Sequence, residues 1–370
     1  MRDASRSNTA IRCSRRFRAS TSSSARTRWT SFRISSKRAA VAGFRKRRGI
    51  TKVFFEFENI APVGDEAPMS WKDVRASGFV PVTRGCDMGC TFCIVPQTRG
   101  KEVSRPMDDI VAEVRALVDA GIRDVTLLGQ IVNRYGRNLD GKVVFHELID
   151  RLADVPGLYR LRFTSSHPVY LTKALVDCFA KHGVLAPHVH LPVQTASNRL
   201  LKEMRRGYTI ELYEEKVSAL REARDDMAVS TDIIVGYPGE TEEDFRDTLE
   251  MVERIRFDGL FAFNYSPRPG TPAIGAGDPV PEEEKANRLD AVLQASQRIT
   301  EEKNRAMVGQ VRDVLIEGDG KGAGARFGRT ACHRIVHVHA PDAGPGDVLR
   351  VKIERGRPNS LSGRVVTNQV

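Results

Sequence analysis

The chain has 370 residues, of which 41% are apolar and 7% aromatic, which is enough for one large domain with a small companion. It carries 58 Lys and Arg against 47 Asp and Glu, so the formal charge of +11 points to a polyanionic partner. No stretch approaches about 18 consecutive apolar residues, which excludes a membrane-spanning helix. Six cysteines are too few and too unevenly placed for a secreted disulfide scaffold.

The positive charge is concentrated at the two ends of the chain. Residues 1–50 hold 15 basic side chains and one acidic side chain, a net charge of +14, whereas residues 51–302 carry −9 and residues 303–370 carry +6. The first segment is rich in Arg and Ser and shows no apolar periodicity that could build a core. We therefore predict a disordered or non-native head over residues 1–50, with an organellar transit peptide as the alternative, and a remnant linker over residues 51–77.

Short β-rich segments alternate with helical patterns in the middle of the chain. The predicted strands cover residues 79–82, 125–128, 159–163, 188–191, 231–235 and 260–264. Apolar residues spaced by three and four predict a helix from Met107 to Val118. Thr241 and Asp244 form a capping box that begins a second helix. Six βα units at this spacing predict an α/β fold, a partial (βα)6 parallel barrel over residues 78–302.

A glycine or polar segment follows each predicted strand. In chain order these segments are Arg84-Gly85-Cys86, Gly129-Gln130, Ser165-Ser166-His167, Pro192-Val193-Gln194, Gly236-Tyr237-Pro238-Gly239-Glu240 and Tyr265-Ser266-Pro267. In barrels of parallel strands the active site is built from the loops at the C-terminal edge. Gly and Pro are common in any βα turn, so one such loop alone would not indicate an active site. The six together predict an active-site rim.

The last part of the chain changes to a β pattern. Apolar and charged residues alternate over residues 348–354, and similar short runs lie at residues 311–316 and 334–338. The pattern predicts a small all-β barrel or sandwich, antiparallel, with one apolar and one basic face, over residues 303–370. The basic face is either an RNA-binding surface or an ordinary solvated face, and composition alone favours neither.

The strongest feature of the sequence is the triplet Cys86-x3-Cys90-x2-Cys93. Structural zinc usually takes four ligands in two close pairs, and no fourth Cys or His lies nearby in the sequence. Three thiolates from one short loop suit a cubane iron–sulfur cluster, which leaves one iron open for a substrate or cofactor. We therefore predict a metal centre at Cys86, Cys90 and Cys93, with an iron–sulfur cluster favoured and zinc as the alternative.

The triplet, with Thr91 and Phe92 before its last cysteine, resembles the signature of the radical S-adenosylmethionine superfamily. The strings around it resemble the methylthiotransferases of that superfamily, and they include Ile94-Val95-Pro96, Ser104-Arg105-Pro106, Leu127-Leu128-Gly129-Gln130, Ser165-Ser166-His167-Pro168, His190-Leu191-Pro192-Val193-Gln194 and Arg268-Pro269-Gly270-Thr271-Pro272. The resemblance covers residues 78–366, and residues 303–370 resemble a TRAM domain. Several of these strings, together with Arg357-Pro358-Asn359-Ser360-Leu361, resemble the branch that acts on N6-isopentenyladenosine beside the tRNA anticodon. Branches that act on a ribosomal protein or on threonylcarbamoyladenosine are the alternatives.

The resemblance implies the chemistry of the metal centre. Cys86, Cys90 and Cys93 would hold a [4Fe–4S] cluster whose open iron binds S-adenosylmethionine. One-electron reduction would then yield a 5′-deoxyadenosyl radical that activates C2 of the adenine, before sulfur insertion and methylation. We assign no general base, since His167 and His190 are expected to be packed or hydrogen-bonded side chains.

The resemblance also implies the contacts and partners. Gly129 and Gln130 would contact the methionine amino group of S-adenosylmethionine, and Gln194 with the turn from Gly236 to Gly239 would contact its ribose and adenine. The expected macromolecular partner is a tRNA anticodon stem-loop, and the expected electron donor is a flavodoxin or ferredoxin. We expect a cytoplasmic monomer that does not associate with membranes.

Family members carry a further N-terminal domain with three cysteines for an auxiliary iron–sulfur cluster. Upstream of Gly78 this chain has only Cys13, so the ligands of a second [4Fe–4S] cluster are absent from it. The resemblance therefore predicts a methylthiotransferase truncated at its front and impaired in sulfur insertion. The alternative is a catalytically incomplete RNA-binding remnant.

Overall fold

The computed structural model describes residues 76–139, 144–277 and 279–366. The predicted head over residues 1–50, including Cys13, and all but the last two residues of the predicted linker lie outside the described residues. Within the described ranges, no helix is both long and apolar enough to cross a membrane.

The first part of the described chain contains eight strands, most of them parallel. They are β1 (Ser77–Pro81), β2 (Thr83–Arg84), β3 (Val103–Ser104), β4 (Asp124–Leu128), β5 (Arg160–Phe163), β6 (His188–His190), β7 (Ala228–Val235) and β8 (Gly259–Asn264). The short β2 and β3 form their own antiparallel pair. The other six pair in parallel as two three-stranded sheets, β1-β4-β5 and β6-β7-β8, joined by a parallel bridge between Leu161 and Leu185. The predicted strands are therefore confirmed, with ends shifted by at most three residues, and so is the partial parallel barrel.

The helices connect these strands. They are α1 (Val95–Arg99), α2 (Met107–Asp119), α3 (Phe145–Ala153), α4 (Lys173–Lys181), α5 (Asn198–Glu203), α6 (Ile210–Ala223), α7 (Glu242–Ile255) and α8 (Glu282–Ala306). The predicted capping box begins α7: Thr241 Oγ1 accepts from the Asp244 amide at 3.2 Å, and the Asp244 carboxylate accepts from the Thr241 amide at 2.9 Å. Helix α8 continues past residue 302, where the sequence pattern placed a domain boundary, and ends at Ala306.

Side chains alternate between the two faces of the six parallel strands. One face is apolar and packs against the helices in a continuous core that includes Val80, Val125, Leu161, Val189 and Ile233. The opposite face, here called the inner face, consists mainly of polar and aromatic residues. Its members are Phe79, Asp124, Thr126, Arg160, Arg162, His188, His190, Ser230, Asp232, Phe261 and Phe263. In a βα barrel the helices lie outside, so the inner face lines the interior.

The C-terminal region is a closed five-stranded barrel. Its strands are β9 (Val311–Asp319), β10 (Ala325–Thr330), β11 (Ile335–His339), β12 (Val348–Arg357) and β13 (Ser360–Val365), in the order β10-β11-β13-β12-β9. The predicted small β-barrel is confirmed, but it is not wholly antiparallel, because β11 and β13 pair in parallel where the barrel closes. The sequence pattern missed β10 and β13, since each contains a glycine and few apolar residues.

The barrel contacts the N-terminal edge of the parallel sheet through buried side chains. Arg162 Nη2 donates to the Thr330 carbonyl at 3.1 Å, and Arg160 Nη1 donates to the Arg329 carbonyl at 3.3 Å. Both carbonyls belong to β10. Asp124, at the start of β4, accepts from Arg162 Nε at 3.0 Å. The β-barrel therefore closes the edge of the sheet opposite the loops predicted to form the active site.

Candidate metal centre and cofactor site

The cysteine loop follows β2 and is held by backbone contacts at its start and by a side-chain contact further along. Gly85 has a φ of +75°, and a Cβ there would lie 2.1 Å from the Lys101 carbonyl oxygen, so only glycine fits. The Cys86 amide donates to the Gly100 carbonyl at 3.0 Å. Further along, the Thr91 hydroxyl lies 2.9 Å from the Tyr237 hydroxyl. These contacts hold the loop at the C-terminal edge of the sheet.

The three predicted ligands are brought together on this loop. Cys86 and Cys90 are buried and Cys93 is partly exposed, and none forms a disulfide. Burial is the main cause that raises the pKa of both the Cys86 and the Cys93 thiol. The Cys86 and Cys93 thiols are therefore protonated at neutral pH without a metal, and metal binding must release their protons.

The spacing of the thiols favours a cluster over a single zinc ion. Among the described residues, one group of three potential metal ligands lies within 4.8 Å of one another, and it consists of Asp150, Cys178 and His182 rather than the loop cysteines. Zn–S bonds of about 2.3 Å would place tetrahedral sulfur ligands roughly 3.8 Å apart. The three loop thiols do not all lie within 4.8 Å of one another, as would be expected of ligands to separate irons.

Two buried arginines hold the cysteine loop, and the sequence patterns revealed neither. Arg206 Nη1 donates to Cys90 Sγ at 3.4 Å, and Arg206 Nη2 donates to the Pro192 carbonyl at 3.1 Å. Arg134 forms an ion pair with Asp87, next to Cys86, and another with Glu102 at 3.3 Å. Arg206 lies 116 residues from Cys90, and no local pattern signals such a contact.

The residues predicted to contact S-adenosylmethionine lie at the same edge. A Cβ on Gly129 would lie 2.2 Å from Thr83 Oγ1, so glycine permits a close approach there. Gln194 is buried and adopts a φ of +79°, rare for a non-glycine residue. Gly236 and Gly239 have φ values of +70° and +77°. Their turn follows β7 and is fixed by Glu240, whose Oε2 accepts from the Gly236 amide at 2.6 Å.

Several buried polar atoms at this edge have no hydrogen-bond partner. They are Thr83 Oγ1, Gln130 Oε1, Ser166 Oγ, Asn264 Oδ1 and Tyr265 Oη, at or just beyond the ends of the strands. Buried polar atoms are nearly always paired in folded proteins, so a group of unpaired ones indicates a place for a polar ligand. Gln130 Oε1 can accept a hydrogen bond from an amino group, as its predicted contact with the methionine moiety requires.

The two histidines considered as bases differ in their hydrogen bonds. His167 is buried, its Nδ1 accepts from the Val169 amide at 3.4 Å, and its Nε2 is a further buried atom without a partner at this edge. His190 Nδ1 lies 3.0 Å from Ser230 Oγ on the inner face. Neither contacts the thiol loop through a hydrogen bond in the described residues.

A partial parallel βα barrel with three thiols on one loop, beside unpaired polar atoms, defines a radical S-adenosylmethionine domain. Residues 80–252 match the Radical SAM superfamily, and residues 305–366 match the TRAM domain. Two relatives named tRNA-2-methylthio-N(6)-dimethylallyladenosine synthase show how far the likeness extends. The chain is 46% identical over 78% of its length to the one from Desulfosudis oleivorans, and 43% identical over 83% to the one from Geotalea uraniireducens.

The chain therefore belongs to the tRNA-2-methylthio-N(6)-dimethylallyladenosine synthase family. It spans 66% of the Desulfosudis relative and 72% of the Geotalea relative. Among solved structures, coproporphyrinogen III oxidase from Escherichia coli, a radical SAM enzyme, superposes with a TM-score of 0.43 at 15% identity. That alignment covers 79% of this chain and 72% of the oxidase, and a TM-score this low supports no further comparison.

Proposed function

We propose that the chain is a tRNA methylthiotransferase that adds a 2-methylthio group to N6-dimethylallyladenosine beside the anticodon. The observation that carries the proposal is the loop of Cys86, Cys90 and Cys93 at the edge of the sheet where buried polar atoms have no partner. The substrate is the one that the names of the two relatives state.

The three thiols would hold one [4Fe–4S] cluster with an open iron for S-adenosylmethionine. When bound, the cluster supplies the electron that cleaves the sulfonium of that cofactor. Gln130 would orient the amino group, and Gln194 with the Gly236 to Gly239 turn would enclose the nucleoside. We propose a single cluster for this chain, since the remaining described cysteines lie apart from the loop, Cys178 on α4 and Cys332 in the barrel.

The barrel would bind the RNA. On β12, Val351 and Ile353 are buried in the barrel core, while Arg355 and Arg357 near the end of the strand are exposed. Arginines on such a face would contact phosphates of an anticodon stem-loop, with an affinity that falls as salt rises. We propose that the protein works as a cytoplasmic monomer and takes its electron from a flavodoxin or ferredoxin.

Anaerobic reconstitution tests the proposal. We expect about four irons per chain, formation of 5′-deoxyadenosine after reduction, and a low yield of 2-methylthio product on a stem-loop that contains N6-dimethylallyladenosine. The yield should be low because the sequence lacks the cysteine triplet of the auxiliary cluster expected to deliver sulfur. Replacing Cys86, Cys90 and Cys93 by Ala should abolish all three, and the matched double variant Cys178→Ala/Cys332→Ala should retain them.

Two results would contradict the proposal. Iron retained by the triple variant would show that the loop does not hold the cluster. 5′-Deoxyadenosine without any 2-methylthio product, measured by mass spectrometry of the digested RNA, would show that this chain generates the radical but does not insert sulfur.

A further inference from the structure

Arg206 is a buried cation without a carboxylate partner among the described residues. Seven Arg and Lys side chains are buried in those ranges, and six of them form an ion pair with a carboxylate at 3.5 Å or less. Those six are Arg105, Arg134, Arg160, Arg162, Lys285 and Arg288. Arg206 is the seventh, and it is only 5% exposed. Burying a cation without an opposite charge is unfavourable, so we expect a negative charge beside Arg206 when the site is in use.

The Arg206 guanidinium donates to three groups, and one of them can become an anion. Nε donates to the Tyr208 hydroxyl at 3.3 Å, and Nη2 donates to the Pro192 carbonyl at 3.1 Å. Both of these acceptors are neutral, since burial raises the pKa of Tyr208 further above neutral pH. Nη1 donates to Cys90 Sγ at 3.4 Å. A cysteine sulfur becomes a thiolate when it binds a metal, so Cys90 is the contact that would carry the negative charge.

The backbone on both sides of this contact is fixed. Arg205 and Gly207, which flank Arg206, have φ values of +57° and +72°. A positive φ at a non-glycine residue such as Arg205 costs free energy and persists where the surrounding structure enforces it. On the other side, the amide of Thr91 in the cysteine loop donates to the Met204 carbonyl at 3.2 Å. The direction of the Arg206 side chain toward Cys90 is therefore built into the fold.

The other buried arginine beside the cysteine loop already has its counter-charges. Arg134 forms an ion pair with Asp87, and its Nη1 lies 3.3 Å from the Glu102 carboxylate. Two carboxylates around one guanidinium leave no positive charge to act on the thiols. Of the two arginines, Arg206 is therefore the one whose charge remains uncompensated.

An iron–sulfur cluster in the loop would bring the missing negative charge. A [4Fe–4S] cluster held by three thiolates is anionic overall, and one-electron reduction adds a further negative charge. The reduction potential of such clusters depends on the hydrogen bonds to their sulfur ligands and on the charge nearby. A fixed cation that donates to a ligand thiolate stabilises the reduced form more than the oxidised form, because the attraction grows with the charge.

Resting on the cluster of the proposed function, we propose that Arg206 is a positioning residue that acts through Cys90 and raises the reduction potential of the cluster. Its guanidinium holds the Cys90 thiolate and supplies the counter-charge for the electron that the cluster accepts. In that step one electron passes from the donor to the cluster, and no covalent bond forms or breaks. Arg206 thereby determines how readily the protein accepts the electron that later cleaves S-adenosylmethionine.

A redox titration tests the assignment without relying on turnover. The reconstituted full chain, without S-adenosylmethionine or RNA, is titrated with dithionite under anaerobic conditions, and electron paramagnetic resonance measures the reduced cluster. In Arg206→Gln the ratio of reduced to oxidised cluster at a fixed potential should fall about tenfold, because the charged hydrogen bond is lost. For a one-electron couple this fall corresponds to a midpoint potential about 59 mV lower.

Further variants separate the effect on the potential from an effect on folding. Arg206→Met also removes the charge and should lower the ratio as Arg206→Gln does, whereas Arg206→Lys keeps the charge and should lower it less. Arg105→Met is the matched control, because Arg105 is equally buried but pairs with Glu113 at 2.6 Å, and it should leave the ratio unchanged. Circular dichroism and the iron content of each variant check that it folds and holds the cluster.

The inference is overturned if Arg206→Gln keeps the wild-type ratio, or if Arg105→Met lowers the ratio as much. An unchanged ratio together with weaker S-adenosylmethionine binding would mean that Arg206 pairs with the carboxylate of that cofactor instead. A wild type that forms no 2-methylthio product, with the expected shift in Arg206→Gln, would refute the proposed function and support the role of Arg206. Product formation by the wild type, with no shift in Arg206→Gln, would do the reverse.

Discussion

Polar side chains are buried at both edges of the parallel sheet, but their hydrogen bonding differs between the two edges. At the N-terminal edge, Asp124 accepts from Arg162 and lies 3.5 Å from Arg160, and both arginines donate to carbonyls of the β-barrel. At the C-terminal edge, Gln130 Oε1 and Ser166 Oγ have no partner. Unpaired buried atoms are not confined to the C-terminal edge, because Asp124 Oδ1 and Arg162 Nη1 also have no partner. The difference is that Asp124 and Arg162 form hydrogen bonds through their other polar atoms, whereas the Ser166 hydroxyl has no partner at all. The comparison teaches that burial of a polar residue does not by itself indicate a function.

The largest effect on stability is expected at the N-terminal edge. Asp124→Ala would leave Arg160 and Arg162 buried, 3% and 5% exposed, without their carboxylate. Breaking a buried ion pair by removing one partner typically costs about 3–5 kcal/mol of unfolding free energy. Urea denaturation at neutral pH measures this loss.

An exposed pair supplies the control for Asp124. Arg151 and Asp108 are 55% and 88% exposed and lie 3.2 Å apart, so Arg151→Ala should change the unfolding free energy by less than about 1 kcal/mol. Equal losses in the two variants would mean that the contact of the β-barrel with the sheet does not depend on Asp124.

At the C-terminal edge we expect a substitution to leave stability almost unchanged and to weaken cofactor binding instead. Gln130→Leu removes a buried amide oxygen that has no partner, so stability should stay within about 1 kcal/mol of the wild type or rise. Loss of the contact with the amino group should instead weaken S-adenosylmethionine binding about tenfold, measured by calorimetry on the cluster-loaded protein.

Gln294→Leu is the matched control, because Gln294 is an exposed residue of α8. Its stability and its S-adenosylmethionine affinity should both equal those of the wild type. If Gln130→Leu lost stability but bound the cofactor normally, the polar residues of the C-terminal edge would serve to stabilise the fold, as those of the N-terminal edge do.

At neutral pH the smallest effect is expected at His167, also at the C-terminal edge, because its contribution to stability changes only at acidic pH. Burial, then the nearby charges of Arg206 and Arg134, lower its pKa to about 3, so the folded state holds it neutral. Its ring packs against Tyr170 and Tyr208. An unfolded chain takes up this proton near pH 6.5, so the stability that His167 contributes is present above that pH and is lost as pH falls toward 3.

Between those limits the loss should reach about 1.4 kcal/mol per pH unit. His167→Phe keeps an aromatic ring and removes the proton site, so its unfolding free energy should fall less steeply between pH 6 and pH 4 than that of the wild type. Parallel curves for the two proteins would show that His167 is not held neutral by the fold.

The sequence by itself determined the local features of this protein. Alternation and helical spacing located the six parallel strands and helices α2 and α7, because these patterns extend over only a few residues. The spacing of Cys86, Cys90 and Cys93 indicated the metal centre for the same reason. The strands β10 and β13 escaped prediction because barrel closure, rather than their own apolar pattern, makes them strands.

Only the tertiary structure decided which buried polar groups are paired. Arg206 reaches Cys90 across 116 residues, and Arg162 reaches Thr330 across 168. The exposed fraction of the Phe261 side chain, 58%, likewise depends on which distant segments pack against it. Such contacts follow from how distant segments pack, and no short-range pattern in a single sequence encodes them. The sequence therefore located the thiols, while the fold placed them with the predicted cofactor contacts at one edge of the sheet and the β-barrel at the other.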